Sequence, residues 1–110
     1  MRMWMVNPSC LCRKHLLGEH RELHCFLGTL KKGISIQGYI NNGLLELHNL
    51  KNRHNELVLE FEKRGYCHKS FLNLQGIDLY EKGYVDIEKN LKELSGRCVE
   101  CQRRIENDQC

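Results

Sequence analysis

The chain has 110 residues, of which 41% are hydrophobic and 28% charged, with a single proline and a formal net charge of +3. These values predict one globular domain over residues 1–110 and exclude a disordered or collagen-like chain. No run approaches the about 18 apolar residues of a membrane span, and MRMWMVNPS lacks the apolar core of a secretory signal. We therefore expect a cytoplasmic protein whose seven cysteines are reduced thiols.

The first predicted helix begins near Pro8 and ends before Gly33. Asn7 can cap it, and proline suits the first helical position, where its missing N–H costs nothing. Lysines in the last turn suit the negative end of the helix dipole. The apolar stripe that would face the core contains Leu16, Leu23, Leu27 and Leu30.

The glycine-punctuated residues 33–43 are predicted to form a loop, with a short extended piece at residues 34–36. The second predicted helix covers roughly residues 45–64 and ends at Gly65. Its apolar positions recur at helical spacing, which gives it a buried face.

Residues 66–83 are predicted to be irregular, and Asp86 can cap a third helix that continues to about Ile105. Ser95-Gly96 is expected to weaken or bend this helix. Three helical patterns without a strong strand pattern predict a compact all-α domain.

Polar side chains gather on one edge of the first helix. Because each helical residue turns by about 100°, His15, Glu19 and Glu22 lie together beside the apolar stripe. Two carboxylates at this spacing repel each other, and partial burial disfavours their charged forms, so at least one pKa should be raised. Such a group suits proton transfer near neutral pH. The alternative is a structural arrangement, with a His15–Glu19 pair on a solvated edge and Glu22 bonded to a basic residue of the second helix.

Positive charge is concentrated at the N-terminal end. Residues 1–32 contain six lysines and arginines against two glutamates, a local net charge of +4. This end of the molecule could meet a polyanion such as DNA, although the same charges could serve solubility alone.

Three segments resemble one enzyme family: MRMW at the start, KHLLGEHREL, and LVLEFEKRGY near residue 60. Over about the first 70 residues, the chain is similar in order and spacing to the pyrimidine-dimer DNA glycosylases of the phage endonuclease V type. The resemblance implies a small all-helical repair enzyme with abasic-site lyase activity. It further implies no metal or other cofactor, and a substrate of double-stranded DNA with a damaged or abasic site. We expect it to act as a monomer.

The resemblance also implies roles for individual residues. In the family, the α-amine of the first residue attacks the sugar, so the nucleophile would be the amine of Met1. An α-amine has a pKa of about 7.7–8.0 against about 10.4 for lysine, which leaves a usable neutral fraction at physiological pH. Glu22 would protonate or stabilise the opening sugar. Arg2, His15 and Arg21 would line the site and hold phosphates, and the role of Glu19 is left open.

The chain departs from the family pattern in two places. Cys25 stands where the phage enzyme has an arginine, and no aromatic residue follows Tyr84. The lesion is therefore left open among a pyrimidine dimer, another altered base and a bare abasic site. Three aromatic residues could stack on an extruded base or belong to the core: Trp4, Phe26 and Tyr39.

A zinc site is a competing interpretation of the cysteines. Cys98-x-x-Cys101 and Cys12-x-x-His15 could together form a tetrahedral set. However, the two later cysteines continue an apolar stripe and could simply be core residues, so we predict no metal site. The alternatives to an enzyme are a noncatalytic nucleic-acid-binding helical module, with or without a zinc staple, and a structural interaction protein.

Overall fold

The computed structural model describes residues 1–68 and 70–107, and within them the chain is helical without β-strands. This confirms the predicted all-α fold, with more helices than the three expected. Five α-helices occur in the described residues: α1 (Arg13–Lys31), α2 (Gln37–Asn41), α3 (Leu50–Lys63), α4 (Ile87–Arg97) and α5 (Val99–Glu106). Two short 3-10 helices precede α1 and α3, at Pro8–Cys10 and Leu47–Asn49. The radius of gyration, 13.8 Å, is close to the about 13 Å expected for a single domain of this length.

The first helix starts later than predicted. Asn7 is a cap, but of the 3-10 helix, where its side chain accepts a hydrogen bond from the Ser9 N–H. α1 begins after Cys12, whose sulfur accepts from the His15 N–H. The helix ends as expected, at a glycine with a left-handed backbone (Gly33, φ 69°).

The C-terminal half also differs from prediction in one respect. Asp86 caps α4 as expected, by accepting a hydrogen bond from the Lys89 N–H at 3.1 Å. The prediction of a bend at Ser95-Gly96 is wrong, because α4 continues through Gly96 to Arg97. The helical conformation is instead interrupted at Cys98, whose extended backbone (φ −132°, ψ 114°) separates α4 from α5. The predicted loop at residues 33–43 contains the short helix α2 and no extended strand.

α1 and α3 pack together around a buried ion pair. Arg53 of α3 is 0% exposed. Its Nε lies 2.5 Å from Glu19 Oε2, and its Nη2 donates to Glu19 Oε1 at 2.9 Å. Its Nη1 donates to the Val6 carbonyl at 2.6 Å. One buried arginine therefore joins both long helices to the N-terminal segment.

The first six residues run through the interior and are held along their length. The Met3 N–H donates to the Leu44 carbonyl at 2.7 Å. The Trp4 carbonyl accepts from Asn90 Nδ2 of α4 at 2.8 Å. Met3, Trp4 and Val6 are all buried. These contacts fix where the chain terminus emerges.

No helix among the described residues is both long and apolar enough to cross a membrane. Five cysteines are free thiols: Cys12, Cys25, Cys67, Cys98 and Cys101. Cys10 is disulfide-bonded, so the prediction that every thiol is reduced is wrong at this position.

Candidate active site

The N-terminus and Glu22 lie side by side. The Arg2 N–H donates a hydrogen bond to Glu22 Oε2 at 3.1 Å. The α-nitrogen of Met1 is only three covalent bonds from that N–H, and Met1 is 38% exposed. The α-amine and the Glu22 carboxylate can therefore both approach one atom of a bound molecule.

The two glutamates of α1 have separate environments. Glu19 is 1% exposed, and burial raises its pKa although its ion pair with Arg53 acts in the opposite direction. This agrees with the expectation of a raised pKa for one of the two carboxylates. The basic residue of the second long helix pairs with Glu19 rather than Glu22. Glu22 is thus left half-buried and facing the N-terminus.

The Arg2 side chain is fixed by three contacts. Its guanidinium carbon lies 3.7 Å from the centre of the Trp4 ring. Its Nη2 donates to Asn90 Oδ1 at 2.7 Å and pairs with Glu93 Oε2 at 2.8 Å, and this arginine lowers the pKa of the Glu93 carboxyl. Its Nε is buried without a hydrogen-bond partner among the described residues. One donor of an otherwise anchored guanidinium is therefore unpaired.

A cleft of about 540 Å³ opens beside Arg2. This volume falls within the roughly 300–1,000 Å³ typical of small-molecule sites. Tyr84, which is 75% exposed, forms part of its wall, together with Lys89 and Asn90 of α4. The sequence analysis missed these three residues. One signal in the sequence was that Tyr84 is the last aromatic residue, two positions before the α4 cap Asp86.

The other predicted site residues lie in different places. Arg21 is exposed on α1, next to Glu22. His15 lies among thiols, with Nδ1 3.2 Å from Cys12 Sγ and 3.5 Å from Cys101 Sγ.

Two of the aromatic residues proposed for stacking belong to the core instead. Trp4 and Phe26 are buried. Tyr39 is half-buried and packs edge-on against Phe26, with ring centres 5.0 Å apart.

Comparison with known proteins identifies the family. The family model described as pyrimidine dimer DNA glycosylase matches residues 1–74 of the 110. No curated protein and no solved structure gives a significant match. The matched segment includes Met1, Arg2 and Glu22, the residues that the structure brings together. Since the match covers well over half of the chain, the protein belongs to the pyrimidine dimer DNA glycosylase family.

Proposed function

We propose that this protein is a DNA glycosylase with abasic-site lyase activity that uses the α-amine of Met1 as its nucleophile and Glu22 as its acid–base group. The hydrogen bond from the Arg2 N–H to Glu22 is the observation that carries the proposal. It puts the carboxylate within one residue of the amine, at an exposed terminus. The substrate is double-stranded DNA with a damaged or abasic site, and the family description favours pyrimidine dimers.

The reaction proceeds in two stages. In the first, the neutral amine forms a bond to the sugar C1′ while the bond from C1′ to the base breaks, and the base leaves with a proton from the attacking nitrogen. The C1′–O4′ bond then opens, O4′ takes a proton, and the nitrogen loses one to give an imine. In the second stage, a proton is removed from C2′ and the C3′–O bond breaks, which releases the phosphate by β-elimination.

Glu22 is placed for the proton transfers of this sequence. As an acid it can give a proton to O4′, and as a carboxylate it can stabilise the positive charge of the protonated imine. The Arg2 N–H hydrogen bond fixes its orientation relative to the amine. Glu19 cannot share this role, because its two oxygens face Arg53 in the interior.

DNA phosphates are proposed to contact Arg21, which is exposed beside Glu22 and free of any ion pair among the described residues. Arg2 lines the cleft and is proposed to contribute its positive charge there. A phosphate contact by His15 stays a prediction, and its position among thiols favours a different role.

Borohydride trapping on abasic duplex DNA tests the proposal. Reduction of the imine should link the protein covalently to the DNA, with the link at Met1 by peptide mass analysis. Acetylation of the α-amine, checked by intact mass, should abolish trapping and leave DNA binding in place. A link to a lysine would overturn the assignment of the nucleophile.

Glu22→Gln tests the acid–base group, because it keeps the size of the side chain and removes the carboxylate. We expect most of the strand cleavage to be lost with little change in DNA affinity. Glu62→Gln, an exposed change on α3, is the matched control and should behave like the unaltered protein. Equal cleavage by the two variants would remove Glu22 from the chemistry. Binding without any trapping would favour the noncatalytic nucleic-acid-binding module.

A further inference from the structure

We propose that Cys12, His15, Cys98 and Cys101 bind one zinc ion that fastens the two C-terminal helices to the start of α1. Each residue offers one ligand atom, and these four atoms all lie within 4.8 Å of one another. The proposal goes beyond the glycosylase function and stands independently of it.

Two distances between ligand atoms match those of a tetrahedral site, and a third is about 0.4 Å shorter. With Zn–S at about 2.3 Å and Zn–N at about 2.0–2.1 Å, two thiolate sulfurs should lie about 3.8 Å apart, and a sulfur and a nitrogen about 3.6 Å apart. Cys12 Sγ lies 3.8 Å from Cys98 Sγ. His15 Nδ1 lies 3.5 Å from Cys101 Sγ and 3.2 Å from Cys12 Sγ. These distances favour the zinc interpretation over our prediction of no metal site.

The position of each ligand pair at the start of a helix also suits a structural zinc. Cys12 is the N-cap of α1 and Cys98 is the N-cap of α5. Each pair therefore spans the first turn of a helix, where free N–H groups and the positive end of the dipole favour a thiolate.

Backbone N–H groups already point at the sulfurs. The Cys12 N–H donates to Cys101 Sγ at 3.2 Å, and the His15 N–H donates to Cys12 Sγ at 3.4 Å. These bonds hold the ligands in orientation, as the groups around a metal site do.

A closed set of four protein ligands is typical of a structural zinc. Here it would join α1, within the family match at residues 1–74, to α4 and α5, which lie beyond it. The Trp4 ring packs edge-on against His15 at 5.9 Å, and α4 holds Arg2 through Asn90 and Glu93. The zinc would therefore keep α4 against the N-terminal segment.

Metal analysis of matched variants tests the site. Protein produced with zinc in the medium and desalted should contain one zinc per chain fewer in Cys98→Ser/Cys101→Ser than in the control Cys25→Ser/Cys67→Ser, which changes two exposed thiols. His15→Cys, which retains four ligands, should keep the metal. Equal zinc in the first pair of variants would overturn the proposal.

Cobalt substitution keeps the test valid should the serine variant fail to fold. Metal-free, reduced protein of the original sequence should bind one Co²⁺ with thiolate-to-metal charge-transfer absorption and intense tetrahedral d–d bands. Zinc should displace the cobalt and remove both signals. Absence of charge-transfer absorption in protein that is folded by circular dichroism would overturn the proposal.

Three histidines carry a second, independent inference: we propose that His20, His54 and His68 bind a divalent transition metal. The Nε2 of His20 lies 3.1 Å from the Nε2 of His54 and 3.1 Å from that of His68. A hydrogen bond between two Nε2 atoms needs a proton on one atom and a lone pair on the other. In a neutral imidazole, the Nε2 of His20 has either one proton or one lone pair, so it cannot form a full hydrogen bond with both partners. A cation at the centre satisfies all three lone pairs at once.

The geometry again fits a metal. Three nitrogens at about 2.0–2.1 Å from a tetrahedral zinc lie about 3.3–3.4 Å apart. His54 and His68 also line a cleft of about 170 Å³, together with Phe71. A fourth metal position facing this cleft would be open to a small ligand, as in sites with three protein ligands.

His68→Ala tests this second site with little risk to the fold, because His68 lies outside the helices. Metal-free, reduced protein should bind a second Co²⁺ that gives no thiolate charge transfer, and His68→Ala should lose it. The control His48→Ala changes a histidine outside the cluster and should keep it. No further cobalt uptake by the unaltered protein, or uptake undiminished in His68→Ala, would overturn the inference.

Discussion

At the scale of single residues, Tyr84 is the aromatic side chain best placed to meet an extruded base. It is 75% exposed on the cleft wall, whereas Trp4 and Phe26 are committed to the core. Base–aromatic stacking contributes about 1–3 kcal/mol. Tyr84→Ala should therefore weaken binding of lesion-bearing DNA by about fivefold or more.

Tyr80→Ala is the control for this prediction, since Tyr80 is 52% exposed but does not line the cleft. Affinities for damaged and undamaged duplexes can be measured by fluorescence anisotropy. Equal effects of the two tyrosine changes on the preference for damaged DNA would show that Tyr84 does not recognise the lesion.

Arg53 was not singled out by the sequence patterns, yet we expect it to make a large contribution to stability. Its removal would leave the Glu19 carboxylate buried without a partner, a loss of about 3–5 kcal/mol. Arg53→Met should therefore lower the free energy of unfolding in urea by about that amount. Arg103→Met removes an exposed pair with Glu100 at 3.8 Å and should change it by less than about 1 kcal/mol. A comparable loss from both variants would contradict the central role of Arg53.

At the scale of helices, the sequence predicted the ends that local chemistry determines. Gly33 and Gly65 stop α1 and α3 with left-handed backbones, and Asp86 caps α4. The break at Cys98 could not be found this way, because the apolar spacing continues across it. Its extended backbone follows from tertiary contacts with Cys12, 86 residues earlier.

For the candidate site, the sequence likewise predicted which residues take part but not all of their contacts. The resemblance selected Glu22 and the N-terminus, and the structure brings them together. Periodicity placed Glu19 and Glu22 on one edge of α1, but it could not tell which of them meets an arginine. That depends on the packing of α3, which helical spacing alone does not fix.

Helix α4 positions the N-terminal segment through one side chain. Asn90 is buried, donates to the Trp4 carbonyl and accepts from Arg2. Asn90→Ala removes the donor to the Trp4 carbonyl and one of the two acceptors of Arg2 Nη2, and we expect a stability loss of about 1–3 kcal/mol. Displacement of the amine should lower the single-turnover trapping rate by about tenfold or more.

The exposed change Asn73→Ala is the control for Asn90. If Asn90 had only a structural role, Asn90→Ala would reduce stability but leave the trapping rate of folded protein unchanged. The rate is therefore measured at a temperature where both variants are folded. An unchanged rate for Asn90→Ala under these conditions would exclude a positioning role.

At the scale of the whole molecule, the uneven charge distribution predicts how DNA binding depends on salt. The net charge is only +3, yet residues 1–32 alone have +4. Glu19, one of the two acids in that segment, is neutralised internally by Arg53. Arg2 is likewise paired with Glu93, so the other charges of residues 1–32 still sum to +4, and this surface should release counterions when it meets the phosphates.

Arg21→Ala removes one exposed charge from this surface and should weaken binding to duplexes of any sequence. Each phosphate contact contributes about 0.9 to the slope of log K against log salt, so the slope should fall by about one. Arg103→Ala, in which an exposed arginine paired with Glu100 is lost, should leave the slope unchanged. Anisotropy titrations on undamaged duplex at several salt concentrations give both values. If the two variants shift the slope equally, DNA binding follows overall charge and the α1 surface has no special part in it.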